Sequence, residues 1–187
     1  MKRHIQSFLA VLSILAALPV TAAANPKTPA PVQGEMSPKT YEVTYPKFQI
    51  MINGAPMYNG KAMYPVMMYD GMVYFPMTWR YTQALGLDTQ WDPVDGFAIS
   101  KSGKPASKLV NDTAILSARH FYAKLPSFQV RVNNHAIDNA NEPYPVLVFN
   151  DITYFPMTWR FAVEQLGLEI KMEKDKYYIS KASVSNK

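Results

Sequence analysis

Two Trp-Arg pairs carry the side chains of this chain that are best suited to binding chemistry. Trp79-Arg80 and Trp159-Arg160 each end the same heptapeptide, Tyr-Phe-Pro-Met-Thr-Trp-Arg, at an offset of 80 residues. An indole can stack on a sugar ring, and a guanidinium can donate hydrogen bonds to hydroxyls or phosphates. The alternative is structural: within a helix, Trp would pack against a sheet, while Arg would cap strand carbonyls or cover apolar surface with its stem. The helical position favours the structural interpretation.

Acid–base or nucleophilic catalysis has little support in the sequence. Asp70, Asp151, Asp92 and Asp95 all fall in predicted turns, where aspartate bonds to nearby backbone groups. No Ser/His/Asp arrangement is repeated, and the eight glycines are too scattered to form a phosphate loop. We therefore predict no catalytic residues and no enzyme activity. A site between repeated units stays open, because pockets favour domain interfaces, but no residue identifies one.

Methionine is the residue type that could bind a soft metal ion. The chain has no cysteine, but seven methionines crowd its first half and thioethers suit Cu(I). They are Met51, Met57, Met63, Met67, Met68, Met72 and Met77. Their counterparts 80 residues later are Arg131, Ile137, Pro143, Leu147, Val148, Ile152 and Met157. Exchange of apolar groups of similar bulk is typical of a core, so we predict no metal and no cofactor.

The repeated heptapeptide means that one structural unit occurs twice. The copies align over residues 41–101 and 121–181, with one residue gained near Glu164-Gln165-Leu166 and one lost in the last turn. Each copy is predicted to be β-β-β-α-β-β, an antiparallel sheet of about five strands curled around one helix. The predicted fold class is therefore α+β, with two small tandem units. The structural motif comprises Tyr74, Phe75, Pro76, Trp79, Arg80, Tyr154, Phe155, Pro156, Trp159 and Arg160.

Turn and cap residues set the predicted element boundaries. Asn53-Gly54 favours a tight hairpin, and Asp70-Gly71 suits a turn with positive φ. Pro76 is placed near the first turn of a helix, where its missing N–H costs nothing. That helix continues over residues 77–85, and Gly86 is expected to end it in a left-handed conformation. Met77 and Trp79, with Met157 and Trp159, are predicted to pack the helices, and Arg80 and Arg160 to hold them to the sheet.

The motifs of each copy resemble a known family. A strand ending in Asn-Gly, followed by YPV, YDG, YFPMTWR, ALGL, WD and a closing hairpin, is similar to the copper amine oxidase N-terminal-like domain. This stalk domain is frequent in secreted and wall-associated proteins of Gram-positive bacteria. The second copy, PYPVLVFNDITYFPMTWRFAVEQLGLEI, resembles it more closely. The resemblance implies a small antiparallel sheet curled around a helix. It does not imply copper chemistry, which the named oxidases place in a separate domain with three histidine ligands; here only His120 and His135 follow the leader.

The N-terminal residues are typical of an export signal. Lys2, Arg3 and His4 precede an apolar run from Phe8 to Val20, which ends before a small-residue site at Ala22-Ala23-Ala24. We predict a signal peptide over 1–24, a flexible Pro-rich spacer over 25–40, a linker over 102–120 and a tail over 182–187. Loss of Lys2 and Arg3 lowers the formal net charge from +5 to +3, which is no argument for nucleic acid.

Together these features predict a secreted, non-catalytic protein that serves as a binding or spacer module at a cell wall. Any attachment to the wall is expected to be noncovalent, and no membrane segment is expected after signal cleavage. The expected partner is wall glycan or another exported protein; the alternative function is an interaction module or inhibitor of an exported enzyme. Aromatic residues that the copies do not share are the candidate ligand surface. They are Tyr58, Tyr69, Tyr177 and Tyr178.

Overall fold

Both repeats form the same succession of strands in the computed structural model, which describes residues 39–114 and 120–182. The first repeat comprises β1 (Thr40–Thr44), β2 (Gln49–Ile52), β3 (Ala55–Met57), a 3₁₀ turn (Asn59–Lys61), β4 (Met67–Tyr69), β5 (Met72–Pro76), helix α1 (Trp79–Ala84), β6 (Leu87–Asp92) and β7 (Gly96–Lys101). The second comprises β8 (His120–Lys124), β9 (Val130–Val132), β10 (His135–Ala136), a 3₁₀ turn (Asn139–Asn141), β11 (Leu147–Phe149), β12 (Ile152–Pro156), a π-helix (Trp159–Gln165), β13 (Leu168–Glu173) and β14 (Lys176–Lys181).

Three strands from each repeat close a barrel of order β1-β4-β5-β12-β11-β8. The two repeats meet twice in this barrel, where β5 pairs with β12 and β1 pairs with β8, both antiparallel. In the first contact Phe75 lies opposite Phe155, and in the second Glu42 lies opposite Tyr122. Each of these pairs joins residues 80 apart, so an approximate two-fold axis relating the repeats passes through both contacts.

The remaining strands form two sheets in which the repeats exchange hairpins. The sheet β10-β9-β7-β6 joins the last hairpin of repeat 1 to the first hairpin of repeat 2, and β13-β14-β2-β3 is its counterpart. The junctions β7–β9 and β14–β2 are parallel. Backbone hydrogen bonds from Phe97 N–H to the Gln129 carbonyl (2.9 Å) and from Gln49 N–H to the Asp175 carbonyl (2.8 Å) begin the two junctions. Each repeat therefore completes a sheet of the other.

The predicted fold class, α+β with two small tandem units that each curl around one helix, is wrong. The described chain is mostly β, with a closed six-stranded barrel and two further sheets shared between the repeats. Strand periodicity indicates that a segment is extended, but it does not select the partner of that segment. The prediction also missed the strands β1 and β3 and their counterparts, because β3 is only three residues long and contains Pro56.

Alternation along β5 and β12 divides the apolar residues between two cores. Tyr74 and Tyr154 point into the barrel, where they pack with Tyr41, Phe121 and other inward residues. The neighbouring Phe75 and Phe155 point outward. There they form the second core with the helices and the two exchanged sheets. Because consecutive strand residues face opposite sides, these two strands serve both cores at once.

Most of the predicted turns are confirmed. Asn53 and Gly54 have φ of 48° and 78°, and Asp70 and Gly71 have φ of 46° and 75°, as tight hairpins joining right-twisted strands require. Gly86 follows α1 with φ of 65°, which confirms its predicted left-handed cap.

The predicted helix start at proline is wrong. Pro76 and Pro156 are the buried last residues of β5 and β12, and the helices begin three residues later at Trp79 and Trp159. Proline is compatible with a strand end, where no ladder hydrogen bond requires its missing N–H. The predicted residue gain near Glu164 has a structural outcome: the second helix is a π-helix, in which Leu166 N–H bonds to the carbonyl of Phe161 five residues earlier (3.0 Å).

The described part of the linker packs on repeat 1. Ser107 N–H donates to the Gln83 carbonyl (3.0 Å), and Tyr81 Oη donates to the Asp112 carboxylate (2.7 Å). The predicted signal peptide and nearly all of the predicted spacer lie outside the described residues, as do 115–119 of the linker and most of the tail.

Candidate functional site

The repeated tryptophans lie on the surface, so their predicted packing role is wrong. Trp79 is 73% exposed and Trp159 is 64% exposed. The buried residues of α1 are Tyr81, Thr82 and Ala84. A period of 3.6 residues places Tyr81 and Ala84 on the side opposite Trp79. The predicted packing by Met77 and Met157 is confirmed, since both are buried.

The paired arginines are also exposed and do not hold the helices to the sheet as predicted. Arg160 pairs with the Glu142 carboxylate, beyond the 3₁₀ turn of its own repeat. Its guanidinium lies 4.2 Å from the ring centroid of Phe161, the geometry of a cation–π contact. Arg80, in the first turn of α1, is exposed. Each helix therefore presents an indole beside a guanidinium.

The two helices that carry the Trp-Arg pairs pack on the same side of the β5–β12 pair. Phe75 and Phe155 are directly opposite one another and both point out of the barrel, so the axis between them is perpendicular to the sheet. A rotation about such an axis moves a side chain along the sheet but leaves it on the same face. The helices that carry Trp79 and Trp159 therefore lie on one face of the β5–β12 pair, at its opposite ends.

A groove between the repeats lies beside the third tryptophan. Trp91, at 59% exposed, stands on β6 with its ring edge-on to Phe128 (centroids 4.6 Å apart, planes at 85°). The groove has a volume of about 460 Å³. Its lining comprises Met77, Trp91, Phe97, Lys124, Leu125, Pro126, Ser127, Phe128, Val148, Asp151, Ile152 and Thr153. It lies where the β6–β7 hairpin of one repeat meets the barrel strands of the other, so it could not be predicted from local sequence patterns.

The four tyrosines predicted as a ligand surface do not form one. Tyr58 is exposed beside the first 3₁₀ turn, whereas Tyr69 is half-buried with its ring edge-on to Tyr41 (5.3 Å). Tyr178 is half-buried and Tyr177 is buried, which corrects its predicted exposure. Tyr177 is covered because β14 pairs with β2 of the other repeat, and burial raises the pKa of its hydroxyl. The exposed Trp91 and Tyr122 were missed, although both are aromatics that the two copies do not share.

The ionisable groups fit structural roles better than catalysis. Backbone N–H groups of Asp95 and Val94 bond to the Asp92 carboxylate and hold its pKa below the usual range, which confirms the predicted turn role. Burial raises the pKa of Tyr74 and Tyr154 far above its usual value, so both phenols are neutral at physiological pH. Within the described residues no three His, Cys, Asp or Glu side chains are grouped to hold a metal ion.

Comparison with known proteins leaves this surface to be interpreted from its own chemistry. No family model matches the chain, and neither a curated protein nor a solved structure matches it significantly. The resemblance to the stalk domain thus rests on the sequence motifs and stays a prediction. Neither helix in residues 39–114 and 120–182 has the length and hydropathy of a membrane span.

Proposed function

We propose that this protein is a secreted, non-catalytic module that binds glycan at a cell surface. The observation that supports the proposal most strongly is that all three tryptophans are exposed, at 59% to 73%. Burying one large apolar side chain stabilises a fold by about 1.5–3 kcal/mol, so three exposed indoles forgo a considerable contribution. An indole that the fold does not use is free to stack on the apolar face of a sugar.

The arrangement of Trp79 and Trp159 favours a repeating polymer over a single sugar. The two indoles present the same chemistry twice on one barrel, each beside an arginine. A ligand that engages one of them binds the other as an intramolecular event, which raises the overall affinity by about 10²–10⁴ when the spacing permits both contacts. A wall polysaccharide repeats its own units and can satisfy this condition.

Pull-down on purified cell wall at low salt tests the proposal. We expect the mature protein to sediment with the wall, and the double variant Trp79→Ala/Trp159→Ala to stay largely in the supernatant. Each single variant should lose less of its wall binding than the double variant loses. Because both residues are exposed, these changes should alter the free energy of unfolding by less than about 0.5 kcal/mol each. Met172→Ala is a matched control, since Met172 is an exposed apolar residue that belongs to neither Trp-Arg pair. Full recovery of the parent protein in the soluble fraction would reject the proposal.

A second candidate is docking of another exported protein, including inhibition of an exported enzyme. It is favoured by the contiguous apolar floor of the groove, formed by Met77, Val148 and Ile152. Digesting the wall with a protease before the pull-down separates the two functions. Glycan binding survives the digestion, whereas binding to a wall-associated protein is lost.

A further inference from the structure

The positions that line the groove beside Trp91 have equivalents in the other half of the molecule, and the two sets of residues differ in chemistry. Trp91 lies opposite Phe97 in the β6–β7 ladder, while Met172 lies opposite Tyr177 in the β13–β14 ladder, so Met172 occupies the position equivalent to Trp91. The apolar floor is largely common to both halves, because Met77 is repeated as Met157 and the position of Val148 is held by Met68. Apolar residues are expected at these positions in both halves, because each half builds the same kind of core around them.

The residues particular to this groove are one indole and three hydrogen-bonding side chains. Lys124 stands where the other half has Thr44, and Thr153 where it has Val73. Asp151 stands in the tight turn at the position of Gly71, with φ of 59°. The charged groups at positions 124 and 151 thus occur only in the half that also carries Trp91, whereas the other half has Lys47 at the position of Ser127. At the positions of the indole and the three hydrogen-bonding side chains, the other half holds a thioether, a hydroxyl, an isopropyl group and no side chain at all.

We propose that the Trp91 groove is a saccharide-binding site that holds a neutral pyranose unit of the glycan. A pyranose has an apolar C–H face, which fits the indole, and a rim of hydroxyls, which fits an ammonium, a carboxylate and a hydroxyl. A purely apolar peptide segment would leave Lys124, Asp151 and Thr153 without a use. The volume of about 460 Å³ lies within the range of about 300–1,000 Å³ that small-molecule sites occupy. The inference rests on the proposed glycan binding and assigns it a specificity site distinct from Trp79 and Trp159.

The edge-on contact with Phe128 prepares Trp91 for this role. It supports the ring from the side while more than half of the residue stays in solvent. An aromatic held in place before the ligand arrives loses less conformational freedom on binding, so less of the contact energy is offset.

Titration of the ¹⁵N-labelled protein with two neutral disaccharides, maltose and di-N-acetylchitobiose, tests the inference. The chain has three tryptophans, so its spectrum contains three indole N–H signals, which single Trp variants assign. We expect one or both disaccharides to shift the Trp91 signal with a Kd on the order of 1 mM. Trp91→Met should weaken binding at the groove by at least tenfold, and Asp151→Gly by about five- to tenfold, as lost stacking and a lost charge-assisted hydrogen bond imply.

Trp91→Met and Asp151→Gly introduce the residues that the equivalent positions of the other half already carry. We therefore expect both variants to fold, and an unchanged Tm verifies this. Met172→Ala is again the control and should leave the titration unaltered. If neither disaccharide moves the Trp91 signal, or if the shifts of other groove resonances persist in Trp91→Met, the inference is wrong. Shifts of the Trp79 and Trp159 signals alone would overturn it while supporting glycan binding. A Trp91 shift without any wall binding in the pull-down would retain the groove and reject attachment to the wall.

Discussion

Gly96 shows how closely the two repeats approach one another at a single residue. It opens β7 with φ of 78°, and an added Cβ would lie 2.1 Å from the carbonyl oxygen of Gln129 in the other repeat. That carbonyl accepts the hydrogen bond from Phe97 N–H which begins the parallel junction, so it cannot move away without loss of the bond. Glycine is required here both by φ and by space.

Gly96→Ala should therefore lower the free energy of unfolding by at least about 3 kcal/mol, because backbone strain and a clash with fixed backbone add together. Gly54→Ala is the matched control. Gly54 has the same φ of 78°, but no atom lies within 4 Å of its added Cβ. The free energy of unfolding of this control should fall only by the cost of placing alanine at a positive φ, about 1 kcal/mol. Urea denaturation of both variants measures the difference, and equal losses would contradict the close approach.

Four buried tyrosines predict a loss of stability at alkaline pH. Burial raises the pKa of Tyr74, Tyr81, Tyr154 and Tyr177 above the ordinary value of 10.0. The neutral phenol is the form that the folded state retains, so the stabilisation is complete below pH 10 and falls as pH rises above it, where only the unfolded chain releases the protons. Each such tyrosine contributes a slope of about 1.4 kcal/mol per pH unit at most.

The free energy of unfolding between pH 9 and pH 12 measures this effect. Tyr154→Phe should flatten the decline, because Tyr154 is fully buried and its hydroxyl has no partner among the described groups. A stability that stays constant over this range would contradict burial of the phenols.

The helices illustrate how one element changes when a residue is inserted. In repeat 1 the six residues of α1 are α-helical, and Leu85 N–H bonds to the Tyr81 carbonyl four residues earlier (2.9 Å). The second helix contains one residue more and bonds five residues apart. Both helices nonetheless end at equivalent places, because Asn53 donates to the Ala84 carbonyl and Asn133 to the Gln165 carbonyl. The helix ends are fixed by the hairpins, so the extra residue is accommodated in the helical turns.

Deletion of Glu164 should convert the π-helix into an α-helix with little change in stability, within about 1 kcal/mol, because repeat 1 folds without this exposed residue. Backbone chemical shifts and the Tm report the outcome. Deletion of Gln83 from α1 is the control. Because α1 contains no inserted residue, the Tm of this variant should fall sharply. A Tm loss for the Glu164 deletion as large as that of the control would contradict the insertion.

At the scale of the whole molecule, the exchange of hairpins makes the repeats one folding unit. Each four-stranded sheet contains two strands from each repeat, and the barrel takes three from each. The outer core likewise joins Phe75 and Tyr81 of repeat 1 to Phe155 and Phe161 of repeat 2. Neither repeat alone can satisfy the edge strands or cover the apolar faces that it contributes.

A protease site inserted between Ala114 and His120 should leave the halves associated after cleavage. The nicked protein is expected to elute as one species in size-exclusion chromatography and to separate only in denaturant. A flexible-linker insertion without the cleavage sequence is the control for the insertion itself. Independent elution of the halves as folded monomers would contradict the exchange.

The sequence by itself determined the duplication, the tight turns at Asn53-Gly54 and Asp70-Gly71, and the cap at Gly86. These are local properties: a positive φ selects Gly, Asn or Asp wherever the chain turns. The sequence also located the residue that was inserted into the second helix. It could not specify that the insertion would be absorbed as a π-helix, since that outcome depends on where the hairpins hold the helix ends.

Only the tertiary structure decided which strands pair and which aromatics reach solvent. The hairpin exchange buries Tyr177 against the other repeat, and the start of α1 three residues after Pro76 turns Trp79 outward. The Trp91 groove exists only where the two repeats meet. Alternation and helical period describe one segment at a time, whereas partner choice depends on long-range contacts that no local pattern encodes. For this reason the sequence predicted the parts of each repeat, and the fold determined the binding surface that they share.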